Sequence, residues 1–176
     1  DIVAGMNKTL ADVALAEGFA WTEDSLGYKA GENTAAATYC GDTKNYEPYS
    51  LQITFTARRE NITIFADGTK LEADFGISSF TDFAAALSAK DEKGESFTLV
   101  DLSTLCSAAF VNIDYTTGGT YAVRYTLTTA ENDYYAFAFE NAEGGEYFAP
   151  FKLKSVKLGD ALYTIEDALA KAVSGN

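Results

Sequence analysis

The chain has 176 residues, with 13 Lys and Arg against 26 Asp and Glu, a net charge of −13, and no histidine. That length can bury a sizeable single core. The missing histidine excludes Ser–His–Asp and Cys–His catalysis and His-ligated zinc or haem, and the negative field opposes binding to a phosphate backbone. Hydrophobic residues make up 47% of the chain, too many for disorder. No apolar run reaches the roughly 18 residues that cross a bilayer.

The chain begins at Asp1 rather than Met, which reads as a processed export product or a trimmed chain. Thr9 followed by Asp12 makes a capping-box-like start, with Leu10, Val13 and Ala14 on one face and Gly18 as a stop. This predicts a short helix near 9–17. The segment 22–48 is weakly patterned, either a long loop or one or two short strands. Residues 49–57 alternate strictly, with Tyr49, Leu51, Ile53, Phe55 and Ala57 against Ser50, Gln52, Thr54 and Thr56, which predicts a strand. Further strands are predicted at 62–66, 97–102, 109–115, 120–129, 133–140 and 147–158, the last with Pro150 marking an edge or bulge. Helices are predicted at 79–89, capped by Ser79 with Phe80, Phe83, Ala84 and Leu87 on one face, and near 164–173, capped by Thr164.

About seven strands, each with one apolar and one polar face, predict a mainly β chain. The expected architecture is a single domain over 1–176, an antiparallel β-sandwich at about 19–158 with two or three short α-helices.

Cys40 and Cys106 are the only cysteines, without a metal-ligand or redox spacing. They are either one disulfide closing a long loop, in an oxidising compartment, or two separate buried thiols. Asn7-Lys8-Thr9 and Asn61-Ile62-Thr63 match the glycosylation acceptor pattern, which also arises by chance.

If the strands at 49–57, 120–129 and 133–140 share a sheet, their polar sides form one low-relief face. That face holds Gln52, Arg124, Tyr134 and Glu140 among threonines. Hydroxyl-rich ligands need such donors and acceptors beside an aromatic ring. An ordinary solvated sheet face has the same composition, because threonine favours strands. Trp21 and Tyr46 are the candidate stacking partners, with a core anchor as the other reading of Trp21. Paired carboxylates such as Glu140 with Glu143, Glu146 or Asp114 carry no distinguishing motif, so no catalytic residue is assigned. Oxygen donors in 132–133 and 141–146 leave room for a structural calcium ion, without an EF-hand pattern.

Residues 49–58 with 61–64, residues 120–127 with 134–140, and the closing run Lys152 to Leu158 resemble strand pairs of jelly-roll, galactose-binding-like carbohydrate-binding modules. The resemblance covers about half the chain. It implies a secreted or cell-surface, non-catalytic module recognising a polysaccharide or other glycan, with no nucleic-acid partner. The mid-chain helix, the terminal helix and the scarcity of Trp depart from the pattern. The competing expectation is a self-assembling surface subunit of adhesin or pilin type, joined through exposed edge strands.

Overall fold

In a computed structural model the chain is mainly β. The structure describes residues 1–42, 44–66, 71–74, 81–112, 121–142, 145–154, 156–163 and 165–174. In chain order the described strands are β1 (Phe19–Trp21), β2 (Gly31–Tyr39), β3 (Ser50–Ala57), β4 (Glu60–Ala66), β5 (Glu72–Asp74), β6 (Leu87–Lys90), β7 (Cys106–Asn112), β8 (Tyr121–Leu127), β9 (Tyr135–Phe139), β10 (Glu146–Lys154), β11 (Val156–Leu158) and β12 (Ala161–Tyr163). A single turn, α1 (Thr81–Ala84), precedes β6. The one helix longer than a turn among the described residues is α2 (Ile165–Ser174). Two compact units form, residues 1–62 with 131–137 and residues 63–130 with 138–176, and the chain passes between them within β4, after Ala130 and within β9.

In the first unit, β1, β2 and β3 form an antiparallel sheet in that order, with Thr38 opposite Ser50 and Gly31 opposite Ala57. The weakly patterned segment 22–48 therefore holds a nine-residue strand. Its glycine, glutamate, asparagine and alanines have little strand preference of their own, and the alternating β3 supplies the partner that selects the extended state. The core beneath is Ala4, Leu10, Val13, Tyr28 and Ala57, with Trp21, Ala35, Phe55 and Tyr134 packed against it.

The helix expected near 9–17 is only a 3-10 turn, Leu10–Asp12. The capping contact forms, since the Asp12 carboxylate accepts the Thr9 N–H at 2.9 Å. Propagation fails because Val13 is already extended, with φ −103° and ψ 108°. Its carbonyl, which a helix would offer four residues on, instead accepts the Trp21 indole N–H at 2.9 Å.

In the second unit the main sheet has the order β5-β10-β8-β7. β8 is antiparallel to β7 and β10, whereas β5 runs parallel to β10, unlike the all-antiparallel expectation. Pro150 lies opposite Ala122, and β5 joins β10 only from Lys152 onward. Among the described residues the strand thus has a single neighbour where the proline removes a donor. Two smaller sheets have the orders β6-β4-β9 and β11-β12.

The helix expected at 79–89 is corrected here. Ser79 and Phe80 lie outside the described residues, α1 ends at Ala84, and Leu87–Lys90 is a strand antiparallel to Thr63–Ala66. Phe83 and Leu87 are both buried, but from two different elements. Long-range pairing has overridden a local helical pattern. Residues 97–102 are not a strand either. Leu102–Thr104 is a 3-10 turn whose cap, Asp101, accepts the Ser103 N–H at 3.0 Å. The terminal helix forms as expected, although Thr164 lies outside the described residues. It buries Ala168, while Ile165 and Leu169 stay exposed.

Cys40 and Cys106 are free thiols, which corrects the expected disulfide. Cys40 is exposed just past β2 in the first unit, and Cys106 opens β7 in the second. Each is held by its own sheet end: the Cys40 N–H donates to the Gly18 carbonyl at 2.8 Å, and Cys106 pairs with Leu127. Burial pushes the Cys106 thiol up to about 11, which keeps it protonated and inert.

Candidate functional site

The first unit presents an aromatic shelf at the end of its sheet. Since Thr38 opposes Ser50, Tyr39 and Tyr49 are cross-strand neighbours, and the Tyr39 N–H donates to the Tyr49 carbonyl at 2.9 Å. Their rings stack with centroids 5.6 Å apart and planes 26° apart. Phe19, opposite Tyr39 on β1, meets Tyr39 edge-on at 5.2 Å and Tyr49 at 6.2 Å. Tyr46 meets Tyr39 edge-on at 6.5 Å. Such offset and T-shaped arrangements are those that aromatic quadrupoles favour.

Two glycines make room for the shelf. A Cβ on Gly18 would stand 2.7 Å from Tyr39 Cε2, and one on Gly41 would stand 2.7 Å from Tyr39 Oη. Gly18 also has φ +85°, which a side chain would strain. Tyr39 thus lies flat on the backbone, and Tyr49 and Tyr46 are raised toward solvent, 52% and 63% exposed. The same face of the sheet is core further along, at Trp21, Ala35 and Phe55. The shelf is that apolar face continued beyond its cover.

A polar turn borders the rings. The Asp42 N–H donates to Tyr39 Oη at 3.2 Å. The Asp42 carboxylate accepts from Asn45 Nδ2 at 2.6 Å and from the Lys44 N–H at 3.2 Å. The Asn45 amide, with smaller help from the turn's N–H groups, holds Asp42 below the usual carboxylate range.

The other face of the same sheet is polar. Ser50, Gln52, Thr54 and Thr56 are all exposed along β3. Hydroxyl pairs run across the strands: Thr22 with Thr38 at 3.1 Å, Thr38 with Ser50 at 2.9 Å, and Thr34 with Thr54 at 3.0 Å. Gln52 stands among them, opposite Ala36.

The remaining candidates do not join that face. β3, β8 and β9 lie in three different sheets, so Gln52, Arg124 and Glu140 share no sheet. Arg124 is opposite Phe148 and within 3.7 Å of Glu146. Glu140 is exposed just after β9, its N–H bonded to the Ile64 carbonyl at 2.8 Å. Tyr134 and Trp21 pack against the first unit's core, and the Trp21 indole N–H is spent on Val13. Of the expected stacking partners, Tyr46 is the exposed one. Tyr39 and Phe19 were not singled out by sequence reasoning, and Tyr49 reads both as an exposed aromatic beside Glu47-Pro48 and as the first residue of the apolar side of its strand. Only the register of β1, β2 and β3 brings them to Tyr46.

Three of the oxygen donors considered for calcium, Asn132, Asp133 and Glu146, are engaged with protein partners. Asn132 Oδ1 accepts the Tyr134 and Tyr135 N–H groups at 2.9 and 2.8 Å, and Asp133 pairs with Lys29 at 2.6 Å. Among the described residues no group of three or more Cys, Asp or Glu is placed to hold a metal ion. Glu143 and Asp114 lie outside the described residues. The second unit has an open cavity of about 580 Å³ lined by Leu87, Ala89, Phe97 and Asp101 among others. Its one carboxylate, Asp101, is engaged by the Ser103 N–H and hydroxyl at 3.0 and 2.7 Å. No helix among the described residues is long and apolar enough to cross a membrane. No family model, curated protein or solved structure matches the chain.

Proposed function

We propose that this protein is a secreted or cell-surface carbohydrate-binding module without catalysis, built as a jelly-roll-like β-sandwich. The observation that carries this reading is the aromatic shelf, in which Tyr46 and Tyr49 are more than half exposed and rest on Tyr39 and Phe19. A pyranose ring offers an apolar C–H face to such rings and its hydroxyls to neighbouring polar groups. Asp42 and Asn45 provide those groups at the edge of the shelf. The hydroxyl-rich face around Gln52 is a second, flatter surface for the same ligand class.

The test is a pull-down on a panel of insoluble polysaccharides with the whole chain, Tyr46→Ala, Tyr49→Ala and Gln52→Ala. The expected outcome is retention of the parent protein on at least one polysaccharide and its loss in the tyrosine variants, with nearly unchanged melting temperature. Parent protein that passes every polysaccharide unretained overturns the reading.

A second reading is favoured by one observation. β3 ends its sheet as an eight-residue strand with no strand on its outer side among the described residues. Such an edge accepts another strand, as a self-assembling surface subunit requires. Light scattering decides it: oligomers growing with concentration support assembly, and a monomer at high concentration removes it.

A further inference from the structure

Resting on the carbohydrate reading, we propose that the glycan recognised at the Tyr46–Tyr49 shelf carries protonated amino groups. Three observations lead there. First, the Tyr46 and Tyr49 side chains have no hydrogen-bond partner among the described residues, and their exposed π faces attract cations. Second, the charged residues adjoining the ring-bearing segments in sequence are mostly acidic. Glu47 adjoins Tyr46 and has no partner among the described residues, Asp42 is bonded to Tyr39, and Glu17 precedes the glycine on which Tyr39 lies. Lys44 is the one cation in that turn. Third, the net charge of −13 repels glycans bearing carboxylates or sulfates and draws in cationic ones.

A neutral sugar would take stacking from the rings and hydrogen bonds with Asp42 and Asn45. A carboxylate can only accept from its hydroxyls, whereas an ammonium group gains both cation–π attraction and Coulomb energy as well. The bond from Asn45 also keeps Asp42 charged in mildly acidic solution, where sugar amines are protonated.

The experiment is calorimetric titration of the whole chain at pH 5.5 and low salt. The probes are a glucosamine oligomer, its fully N-acetylated counterpart and a uronic acid oligomer, with Tyr46→Ala and Glu47→Gln as variants. Expected is binding of the amine oligomer at least about tenfold tighter than the acetylated one, as a charge contact added to stacking would give. The uronic acid oligomer should bind weakest, and each variant should weaken the amine oligomer several-fold. Equal binding of the acetylated and amine forms overturns this inference and leaves the carbohydrate reading standing. Amine binding that Tyr46→Ala leaves unchanged also overturns it, because a diffuse charge effect would not pass through the shelf. If none of the three oligomers binds, the inference is overturned here, and the polysaccharide panel judges the broader reading separately.

Discussion

Two tyrosine pairs in this molecule start from the same local plan and end differently. Tyr39 opposes Tyr49 across β2 and the start of β3, and Tyr125 opposes Tyr147 across β8 and β10. Both pairs stack, with centroids 5.6 Å and 6.2 Å apart, and both gain a phenylalanine, Phe19 in one case and Phe139 in the other. Tyr125 is nonetheless wholly buried, and its hydroxyl donates to the Phe83 carbonyl at 2.6 Å. Tyr49 is half exposed. Stacking across strands is therefore not what separates core from surface. Cover does: α1 closes over Tyr125, and the described residues place no element over Tyr49.

The contrast predicts a large loss of stability at one pair and a small one at the other. Tyr125→Ala should cost about 3–5 kcal/mol, as for a large buried aromatic. Tyr125→Phe should cost only about 1–2 kcal/mol through the lost donor to Phe83. Urea unfolding checks both, and a near-neutral Tyr125→Ala would show that the second pair is no more core than the first.

Alkaline titration sharpens the same contrast. Burial raises the Tyr125 hydroxyl far above its ordinary value, with smaller contributions from Tyr147 and Cys106, and burial also raises Tyr28 and Tyr135. A raised folded value contributes stability that is complete below the unfolded tyrosine value near pH 10 and is lost as pH rises beyond it. The melting temperature should hold up to about pH 10 and then fall steadily. A flat profile to pH 12 would contradict the burial of these hydroxyls.

Gly18→Ala should cost about 1–3 kcal/mol, from a side chain at positive φ pressed against the Tyr39 ring. It should also displace the shelf, so glycan retention falls along with stability. The smallest effect is Tyr46→Ala, within about 0.5 kcal/mol by urea unfolding, since an exposed ring has little to lose. A larger cost would mean the shelf is structural.

Strongly alternating segments were legible in the chain, and they became β3, β4, β8, β9 and β10 within a few residues of their expected ends. The terminal helix was legible too, from its apolar spacing. The failures share a cause. Residues 9–17 and 79–89 carry helical spacing, yet the Val13 carbonyl is taken by Trp21 and Leu87–Lys90 is taken by β4. β2 carried only a weak local signal, and pairing with β3 fixes its extent. Of the site, Tyr46 was visible as an aromatic in a polar turn. Tyr39 and Phe19 were hidden because their meaning depends on register, although Gly18 and Gly41 on either side of β1 and β2 were a readable sign of close approach.

The sequence by itself determined the strand-rich character, the acidic field and the absence of histidine chemistry, because composition and period-two alternation act locally. Which apolar face is covered, which tyrosine is left in water, and that the two cysteines remain unbonded were decided only in three dimensions. Those outcomes depend on which distant segments pair, and alternation alone does not choose a partner.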